Sequence, residues 1–370
     1  MPHATVRLAL CGDVMLGRGI DQILPAPGDP TLWERHVRDA RLYVRLAEQA
    51  NGPIPRPVDV SWPWGDALDV LRDAAPDVRL INLETAITRS DDAAPGKAVH
   101  YRMNPDNLGA LSVARPDVCS LANNHVLDLG RRGLEETLEV LSGAGLVTVG
   151  AGGDRREARQ PAAVPLTGGG RVLVFAMGAM SSGIPSGWAA TAGRPGVELI
   201  DGPRGAAAPA VVDRIHRRRG PGDLVVVSIH WGSNWGYEVD RDQTRFAHAL
   251  IEGGVDVVHG HSSHHPRPIE IHRDRLVLYG CGDLVNDYEG ITGHEPYRSD
   301  LRLLYLVDLD PGTGELVQVQ MIPLQARRMR LDHASPEDSA WLRSVLDDTS
   351  RDRGVRVIRG VGGELEVQRA

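Results

Sequence analysis

Short runs of apolar residues, many of them β-branched, recur along the chain and alternate with segments of helical periodicity. Runs of this length between turn-forming residues predict buried strands. The predicted strands are residues 6–10, 78–83, 118–121, 172–176, 224–229, 255–259 and 276–279, and the predicted helices are residues 104–114, 133–142, 206–218 and 244–252. This alternation is typical of an α/β sheet with helices on its faces.

The last third of the chain has a different pattern. Residues 269–323 are mostly predicted strands, including residues 301–308 and 316–322. Consecutive strands without intervening helices favour a mixed or two-sheet α/β/α sandwich over a purely parallel sheet.

The pattern also predicts an insertion and an appendage. Residues 24–57 are rich in proline and glycine at both ends around a helical stretch at residues 32–49, which indicates an insertion after the first strand. We expect one large domain over residues 1–330. A helix and a short strand over residues 331–370 would form a C-terminal appendage.

The composition is that of an ordinary globular protein. The 370 residues are 42% hydrophobic and 24% charged, which excludes disordered and fibrous classes. A net charge of −8 argues against a nucleic-acid partner. Neither a secretory signal nor a transmembrane run is visible, so we expect a cytoplasmic protein without a membrane partner. The three widely spaced cysteines predict reduced core thiols.

Polar side chains follow the predicted strands at the points where the strands end. Ligands of α/β sheets bind beyond the carboxyl ends of strands, so these side chains are expected to converge on one crevice. They supply carboxylates, amides and imidazoles, a set that suits a hard or borderline divalent ion and lacks the thiolates of structural zinc sites. The residues are Asp13, Asn82, Glu84, Asn123, Asn124, His125, His230, His259, His261, His264, His265, Asp283, Asn286 and Asp287.

Several of these residues lie in motifs that resemble the CapA family, named for poly-γ-glutamate capsule synthesis. The motifs are GDVMLGR at 12–18, NLET at 82–85, LANNHVLD at 121–128, GAG at 150–152, HWG at 230–232, GHSSH at 260–264 and YGCGD at 279–283. The resemblance extends over roughly residues 5 to 325. The family looks like a branch of the calcineurin-like metallophosphoesterases, which implies a four-layer α/β sandwich with a metal centre at the strand ends.

The resemblance also implies roles for individual residues. The metal-surrounding residues would be Asp13, the bridging acid Glu84, Asn124, His230, His261 and His264. His125 would be an unligated acid/base histidine beside the metal, oriented by Asp13 or Asp128.

The sequence departs from the pattern of the phosphoesterases at four positions. Met15 stands where they have a metal-binding histidine, Glu84 stands where an aspartate is usual, and Ser262 and Ser263 replace the familiar residues between the two histidines. We therefore expect one divalent ion, Ca²⁺, Mn²⁺, Mg²⁺ or Zn²⁺, in preference to a full dinuclear centre.

Two reactions could use these residues. In hydrolysis, a Lewis-acid metal activates water against a phosphoester or an amide, and His125 protonates the leaving group. In epimerisation, a base removes a Cα proton and an acid on the opposite face returns one. Epimerisation needs a second imidazole–carboxylate pair besides that of His125. This pair would come from His264, His265 or His294 with Asp283 or Asp287. Arg18, Trp231 and Trp235 are predicted to line a substrate pocket.

The missing ligand would impair hydrolysis more than epimerisation. The chain also resembles soluble CapA-like proteins of peptide natural-product pathways, the lasso-peptide epimerases, which invert the C-terminal residue of a ribosomal precursor. The predicted function is therefore metal-dependent epimerisation of a peptide substrate. A metallophosphoesterase or peptide hydrolase and a non-catalytic accessory protein that binds capsule polyglutamate are the alternatives, and the oligomeric state is left open.

Overall fold

The computed structural model describes residues 5–202 and 207–370. In chain order the strands are β1 (Val6–Val14), β2 (Val78–Leu83), β3 (Ala86–Ile87), β4 (Arg102–Met103), β5 (Val118–Ser120), β6 (Val147–Val149), β7 (Ala151–Gly152), β8 (Ala162–Pro165), β9 (Arg171–Ala179), β10 (Gly196–Val197), β11 (Leu199–Ile200), β12 (Leu224–His230), β13 (Val257–His261), β14 (Ile269–His272), β15 (Arg275–Leu278), β16 (Asp283–Val285), β17 (Leu301–Leu309), β18 (Leu316–Arg327), β19 (Arg330–His333), β20 (Val355–Arg359) and β21 (Leu365–Arg369). The α-helices are α1 (Arg41–Asn51), α2 (Ala67–Ala74), α3 (Gly109–Ser112), α4 (Gly130–Gly143), α5 (Arg155–Ala158), α6 (Ala208–His216), α7 (Arg241–Glu252) and α8 (Pro336–Ser350).

Two large mixed sheets form the body of the protein. The first has the order β20-β21-β18-β17-β1-β2-β5-β6, with β16 beside β1 and β19 beside β18. The second has the order β11-β9-β12-β13-β15-β14, with β8 beside β9. In each sheet the central strands are parallel, β1 with β2 and β5 in one and β9 with β12 and β13 in the other.

The sheets pack face to face, and helices cover their outer faces. Strand alternation explains this arrangement, because successive side chains of a strand point to opposite faces. Leu8 and Leu10 of β1 lie in the core between the sheets together with Val226 of β12. Ala9 of β1 faces the helical layer of the first sheet, and Val225 faces that of the second. The predicted four-layer α/β sandwich is confirmed.

Some element boundaries differ from the sequence prediction. Strand β1 runs to Val14 instead of residue 10, because Asp13 and Val14 still pair with β2 and β16. The predicted helix at residues 104–114 is a 3₁₀ turn at Pro105–Asn107 followed by the short α3. The first residue of the predicted helix 206–218 lies outside the described residues, and α6 occupies the rest as far as His216.

The insertion and the C-terminal segment also have definite structures. Within residues 24–57 the helix begins at Arg41, because Glu34 turns inward to contact Arg18 and Tyr43 and so interrupts the predicted helix. The C-terminal segment forms α8, β20 and β21, and β21 extends the first sheet by pairing with β18. Among the described residues, no helix combines the length and the apolar character that a membrane span requires. The three cysteines are buried free thiols.

The carboxyl ends of the parallel strands meet at one rim of the sandwich. Asp13 at the end of β1 pairs in register with Asn82 of β2 and with Asp283 of β16. His230 at the end of β12 pairs in the same way with His261 of β13. A hydrogen bond of 2.8 Å from His259 Nε2 to the carbonyl of Cys11 joins the two sheets beside this rim. Both sheets therefore deliver polar side chains to one place.

The close approach of two backbones at this rim requires glycine at position 12. A Cβ atom there would lie 1.6 Å from the carbonyl oxygen of Gly282. We expect Gly12→Ala to lower the free energy of unfolding by about 3 kcal/mol, because the rim backbone must move apart. Urea unfolding measures this change. The control is Gly143→Ala, where the space is open, and equal costs at both positions would contradict the close-packed rim.

Candidate metal centre

Five donor side chains gather at the ends of β1, β2, β12 and β13 and after β5. The Nδ1 atoms of His230 and His261 lie 4.0 and 3.8 Å from Asp13 Oδ1 and 2.8 Å from each other. On its other side, His230 Nε2 lies 3.0 Å from Asn124 Oδ1 and 3.9 Å from Glu84 Oε1. These five residues, Asp13, Glu84, Asn124, His230 and His261, are called the first donor group below.

A second group lies on the other side of Asp13. His264 Nδ1 is 3.0 Å from Asp283 Oδ1, and ligand atoms of Asp13, His264 and Asp283 all lie within 4.8 Å of one another. Asn286 Nδ2 donates to Asp283 Oδ2 at 2.6 Å and fixes that carboxylate. These three residues form the second donor group. Asp13 belongs to both groups.

Three carboxylates of this rim are buried close together. Asp13, Glu84 and Asp283 are at most 1% exposed. Burial, together with the neighbouring Asp283, raises the pKa of Asp13 to about 7, and burial beside Asp13 raises the pKa of Glu84 well above its usual value. Within residues 5–202 and 207–370, no arginine or lysine forms an ion pair with Asp13 or Glu84. Crowded buried carboxylates of this kind favour a bound cation.

The imidazoles of the first donor group are suited to the same ion. Burial lowers the pKa values of His230 and His261 well below the ordinary value, so both rings are neutral and keep a lone pair for coordination. Ser228 Oγ lies 2.9 Å from His261 Nε2 and orients the ring. Oxygen and neutral nitrogen donors together fit a divalent ion such as Zn²⁺ or Mn²⁺.

His125 lies beside the first donor group and is held by a carboxylate of its own. Its Nδ1 is 2.6 Å from Asp128 Oδ2, and its Nε2 is 3.6 Å from Glu84 Oε1. Of the two orienting carboxylates considered from sequence, Asp128 makes this contact. The ring of Tyr101 packs edge-on against the imidazole, with centroids 4.5 Å apart. The contact with Asp128 leaves Nε2 as the atom that faces the donor group.

The protonation of this pair follows from its surroundings. Burial lowers the pKa of His125 to about 4, against the opposing effect of Asp128. Burial also opposes ionisation of Asp128, but His125 and Lys97 keep the pKa of Asp128 below its usual value. At neutral pH the pair is therefore a neutral imidazole beside an ionised carboxylate.

Lys97 is a site residue that the sequence interpretation missed. Its Nζ lies 2.7 Å from Asp128 Oδ1 and 3.3 Å from His125 Nδ1, and it donates to the carbonyl of Asn124. It is the single lysine among 41 basic residues. That rarity is a signal that the sequence itself offers.

Two asparagines act as supports within the centre. Asn82 Nδ2 donates to Asp13 Oδ1 at 2.7 Å, and Asn123 Nδ2 donates to Asn82 Oδ1 at 3.1 Å. The Oδ1 atom of Asn123 accepts from the backbone N–H of His125 at 3.1 Å. The two asparagines thus link the carboxylate of Asp13 to the loop that carries His125.

Two of the three predicted pocket residues are buried in the structure. Trp231 is 1% exposed, donates from Nε1 to the carbonyl of Tyr279 and packs against Phe246 of α7, so it belongs to the core of the second sheet. Arg18 is 3% exposed and pairs with Asp287 and Glu34. These contacts correct the expectation that Trp231 and Arg18 face substrate.

Trp235 instead belongs to a group of stacked rings beside the centre. It stacks on His294 at 3.8 Å between centroids and lies 5.3 Å from the ring of His264. His265 stacks on Tyr297 at 4.6 Å, and its Nδ1 contacts the carbonyl of Pro266. We call Trp235, His265, His294 and Tyr297 the aromatic wall. His265 and His294 are therefore held by rings, and in the described part of the chain neither has a carboxylate hydrogen-bond partner.

Comparison with known sequences identifies the family. The profile of the bacterial capsule synthesis proteins PGA_cap matches residues 7–288. The chain belongs to this family. It is 55% identical over 363 residues to a probable polyglutamine synthesis accessory protein of Mycobacterium tuberculosis, covering 98% of this chain and 96% of the relative. It is 25% identical to the PGA biosynthesis protein CapA of Bacillus subtilis, covering 75% of this chain and 62% of that protein.

Comparison with solved structures agrees with the fold. A crystal structure described as a novel phosphatase of Mycoplasma pneumoniae matches with a TM-score of 0.50 and 11% identity, covering 87% of this chain and 94% of that one. The family member therefore shares the overall fold of that protein. The names of the relatives agree with the capsule accessory alternative and give no support to the lasso-peptide epimerase interpretation.

Proposed function

We propose that this capsule synthesis family member is a metal-dependent hydrolase that cleaves amide bonds of a glutamyl polymer, with His125 as its acid/base. The observation that carries the proposal is the buried set of carboxylates and neutral imidazoles with one His–Asp pair beside it. His125 is the histidine of that rim whose Nδ1 is held by a carboxylate outside both donor groups. A neutral imidazole in this position is equipped to move a proton.

The roles of the residues divide between holding an ion and moving a proton. The first donor group would hold the tighter ion, because it offers five donors against three in the second. When bound, a divalent ion supplies Lewis-acid activation of a carbonyl oxygen and of water. His125 Nε2 accepts a proton during attack and delivers it to the leaving nitrogen. Asp128 and Lys97 hold the ring so that Nε2 faces the reacting atoms.

The substrate class rests on the relatives. Those relatives are named for the synthesis of polyglutamine and of PGA, and such polymers are chains of amide bonds. An accessory enzyme that trims or releases chains agrees with both the name and the chemistry of the site. The aromatic wall borders the centre at His264 and would contact a chain that extends away from the scissile bond.

Cα epimerisation of a peptide is the second candidate, and one observation favours it. His264 and Asp283 form a second imidazole–carboxylate pair near His125 and its partner. Epimerisation requires this pair to move a proton on the opposite face of the substrate. However, the same two side chains belong to the second donor group with Asp13, and a ligand to a metal is not free to act as a base.

Three substrates incubated with and without EDTA test these functions. We expect poly-γ-glutamate or a polyglutamine peptide to release new amines in the metal-loaded reaction, and EDTA to stop the release. A bis(p-nitrophenyl) phosphate reaction is run in parallel. His36→Gln, at an exposed position, is the control variant and should retain the parental rate.

The other outcomes have separate meanings. Phosphate ester cleavage without amine release would replace the amide hydrolase by a phosphoesterase. Deuterium at a peptide Cα in D₂O without a new amine would identify an epimerase. A metal-loaded protein without turnover in any of these reactions would contradict the enzymatic proposal and leave the accessory binding role.

A further inference from the structure

A second cluster of imidazoles and carboxylates lies far from the candidate metal centre. It consists of His248 and Glu252 of α7 and of Glu270 and His272 of β14, and it is called the helix–strand cluster. In β14, His272 pairs with Arg275 at the amino end of β15, whereas the candidate centre lies at the carboxyl ends of the parallel strands. The two clusters are therefore at opposite ends of the second sheet.

The spacing of the four residues places each pair on one face of its element. His248 and Glu252 are four residues apart on a helix, and Glu270 and His272 are two residues apart on a strand, so each pair points the same way. The contacts join helix to strand: His248 Nε2 lies 2.7 Å from Glu270 Oε1, and His272 Nε2 lies 3.2 Å from Glu252 Oε1. The two imidazole rings are parallel, with centroids 3.8 Å apart.

The donor atoms lie close enough for a single ion to bind them together. Ligand atoms of His248, Glu270 and His272 all fall within 4.8 Å of one another. The side chains of His248, Glu270 and His272 are 30%, 11% and 21% exposed, so an ion from solvent can reach them without unfolding. Two imidazoles and a carboxylate with a second carboxylate adjacent form a donor set typical of zinc.

A tyrosine and an arginine hold one oxygen of Glu270 and leave the other directed at His248. The held oxygen, Oε2, accepts from the hydroxyl of Tyr279 at 2.7 Å and from Arg353 Nη1 at 3.0 Å. These two contacts fix the carboxylate and turn Oε1 toward His248. Arg273 pairs with Glu252 at 2.9 Å and is the cation that an ion would displace. Its side chain is 66% exposed, so the displacement costs little.

We propose that the helix–strand cluster is a second metal site, which binds a zinc-class divalent ion through His248, Glu270 and His272 with Glu252 as the fourth ligand. The two rings rotate about χ2 from their stacked arrangement to direct both Nε2 atoms at the ion. The bound ion ties the C-terminal turn of α7 to the edge strand β14. This proposal does not depend on the reaction at the candidate metal centre.

Zinc titration of the chelator-stripped protein tests the site directly. The titration is done with a competing chromophoric chelator in the Asp13→Asn background, in which the candidate centre is disabled. We expect that variant to retain one zinc equivalent, and addition of His272→Gln to weaken its affinity at least tenfold. His333→Gln, an exposed histidine outside the cluster, is the matched control and should change nothing.

A spectroscopic readout keeps the test independent of stability. X-ray absorption at the zinc edge should show imidazole scattering in the Asp13→Asn protein and less of it after His272→Gln. Thermal unfolding in EDTA confirms that both variants are folded, and zinc should raise Tm in the first variant and not in the second. Equal zinc affinity with and without His272 would overturn the proposal.

Discussion

Asp13→Asn is expected to abolish metal retention at the candidate centre and, with it, amide hydrolysis. Asp13 belongs to both donor groups, so its loss removes a ligand from each. We expect metal affinity to fall at least about 100-fold, since changes even behind the ligands of metal sites cost 10- to 100-fold. Elemental analysis of the dialysed variant in the His272→Gln background, at equal protein concentration and beside His272→Gln alone, measures the loss at this centre.

The same substitution should stabilise the fold of the metal-free protein. Burial and Asp283 raise the pKa of Asp13 from 3.8 to about 7, so the folded state loses stability as pH rises between these two values, and the full destabilisation is present above about 7. Asparagine removes this charge, so Tm in EDTA at pH 8 should rise. Asp91→Asn, at an exposed position, is the control and should alter neither property. A variant that still retains an ion at the candidate centre, or that melts well below the parental protein in EDTA, would contradict this electrostatic account.

His125→Gln is expected to lower kcat while leaving metal content unchanged. The imidazole moves a proton and is not assigned to either donor group, and such acid/base groups contribute about 100- to 10,000-fold. Turnover of the glutamyl polymer measured beside elemental analysis separates the two effects. His36→Gln serves again as the control.

Two other outcomes would change the role of His125. Loss of metal together with loss of activity would make it a ligand. A parental kcat would remove it from the reaction. Asp128→Asn is expected to reduce kcat less than His125→Gln. The substitution weakens the contact that orients the His125 ring, but the ring keeps its Nε2 atom.

The layers of the fold could be predicted from the sequence because apolar runs alternate along the chain with segments of helical periodicity. The apolar runs of β1, β2, β5, β12 and β13 lie in buried strands as predicted. Polar side chains at their carboxyl ends do meet at one rim, because parallel strands end on the same side of a sheet. The convergence of Asp13, Glu84 and His230 therefore followed from local pattern alone.

The residues that the sequence misplaced are those whose position depends on distant partners. The sequence predicts that Arg18 lines a substrate pocket, but its guanidinium is buried by Asp287, 269 residues away, and by Tyr43 of the insertion. Trp231 directly follows His230, and the alternation of side chains turns it toward α7 and away from the site. Its neighbourhood in sequence could not distinguish it from Trp235.

Site residues in loops were the hardest to predict from the sequence pattern. Lys97 and Tyr101 reach the centre from the irregular segment between β3 and β4, where no periodicity indicates which side chains point inward. Tyr101 contacts Asp128 through its backbone N–H at 2.7 Å, a contact that no side-chain motif encodes. The aromatic wall likewise joins the loops that follow β12, β13 and β16.

Anomalous diffraction from crystals grown with Mn²⁺ or Zn²⁺ tests the central claim most directly. The account predicts a strong peak within about 2.0–2.6 Å of a carboxylate oxygen of Asp13, with an imidazole nitrogen of His230 or His261 as a further ligand. Crystals that contain the ion elsewhere, with Asp13, Glu84 and His261 free of it, would contradict the account.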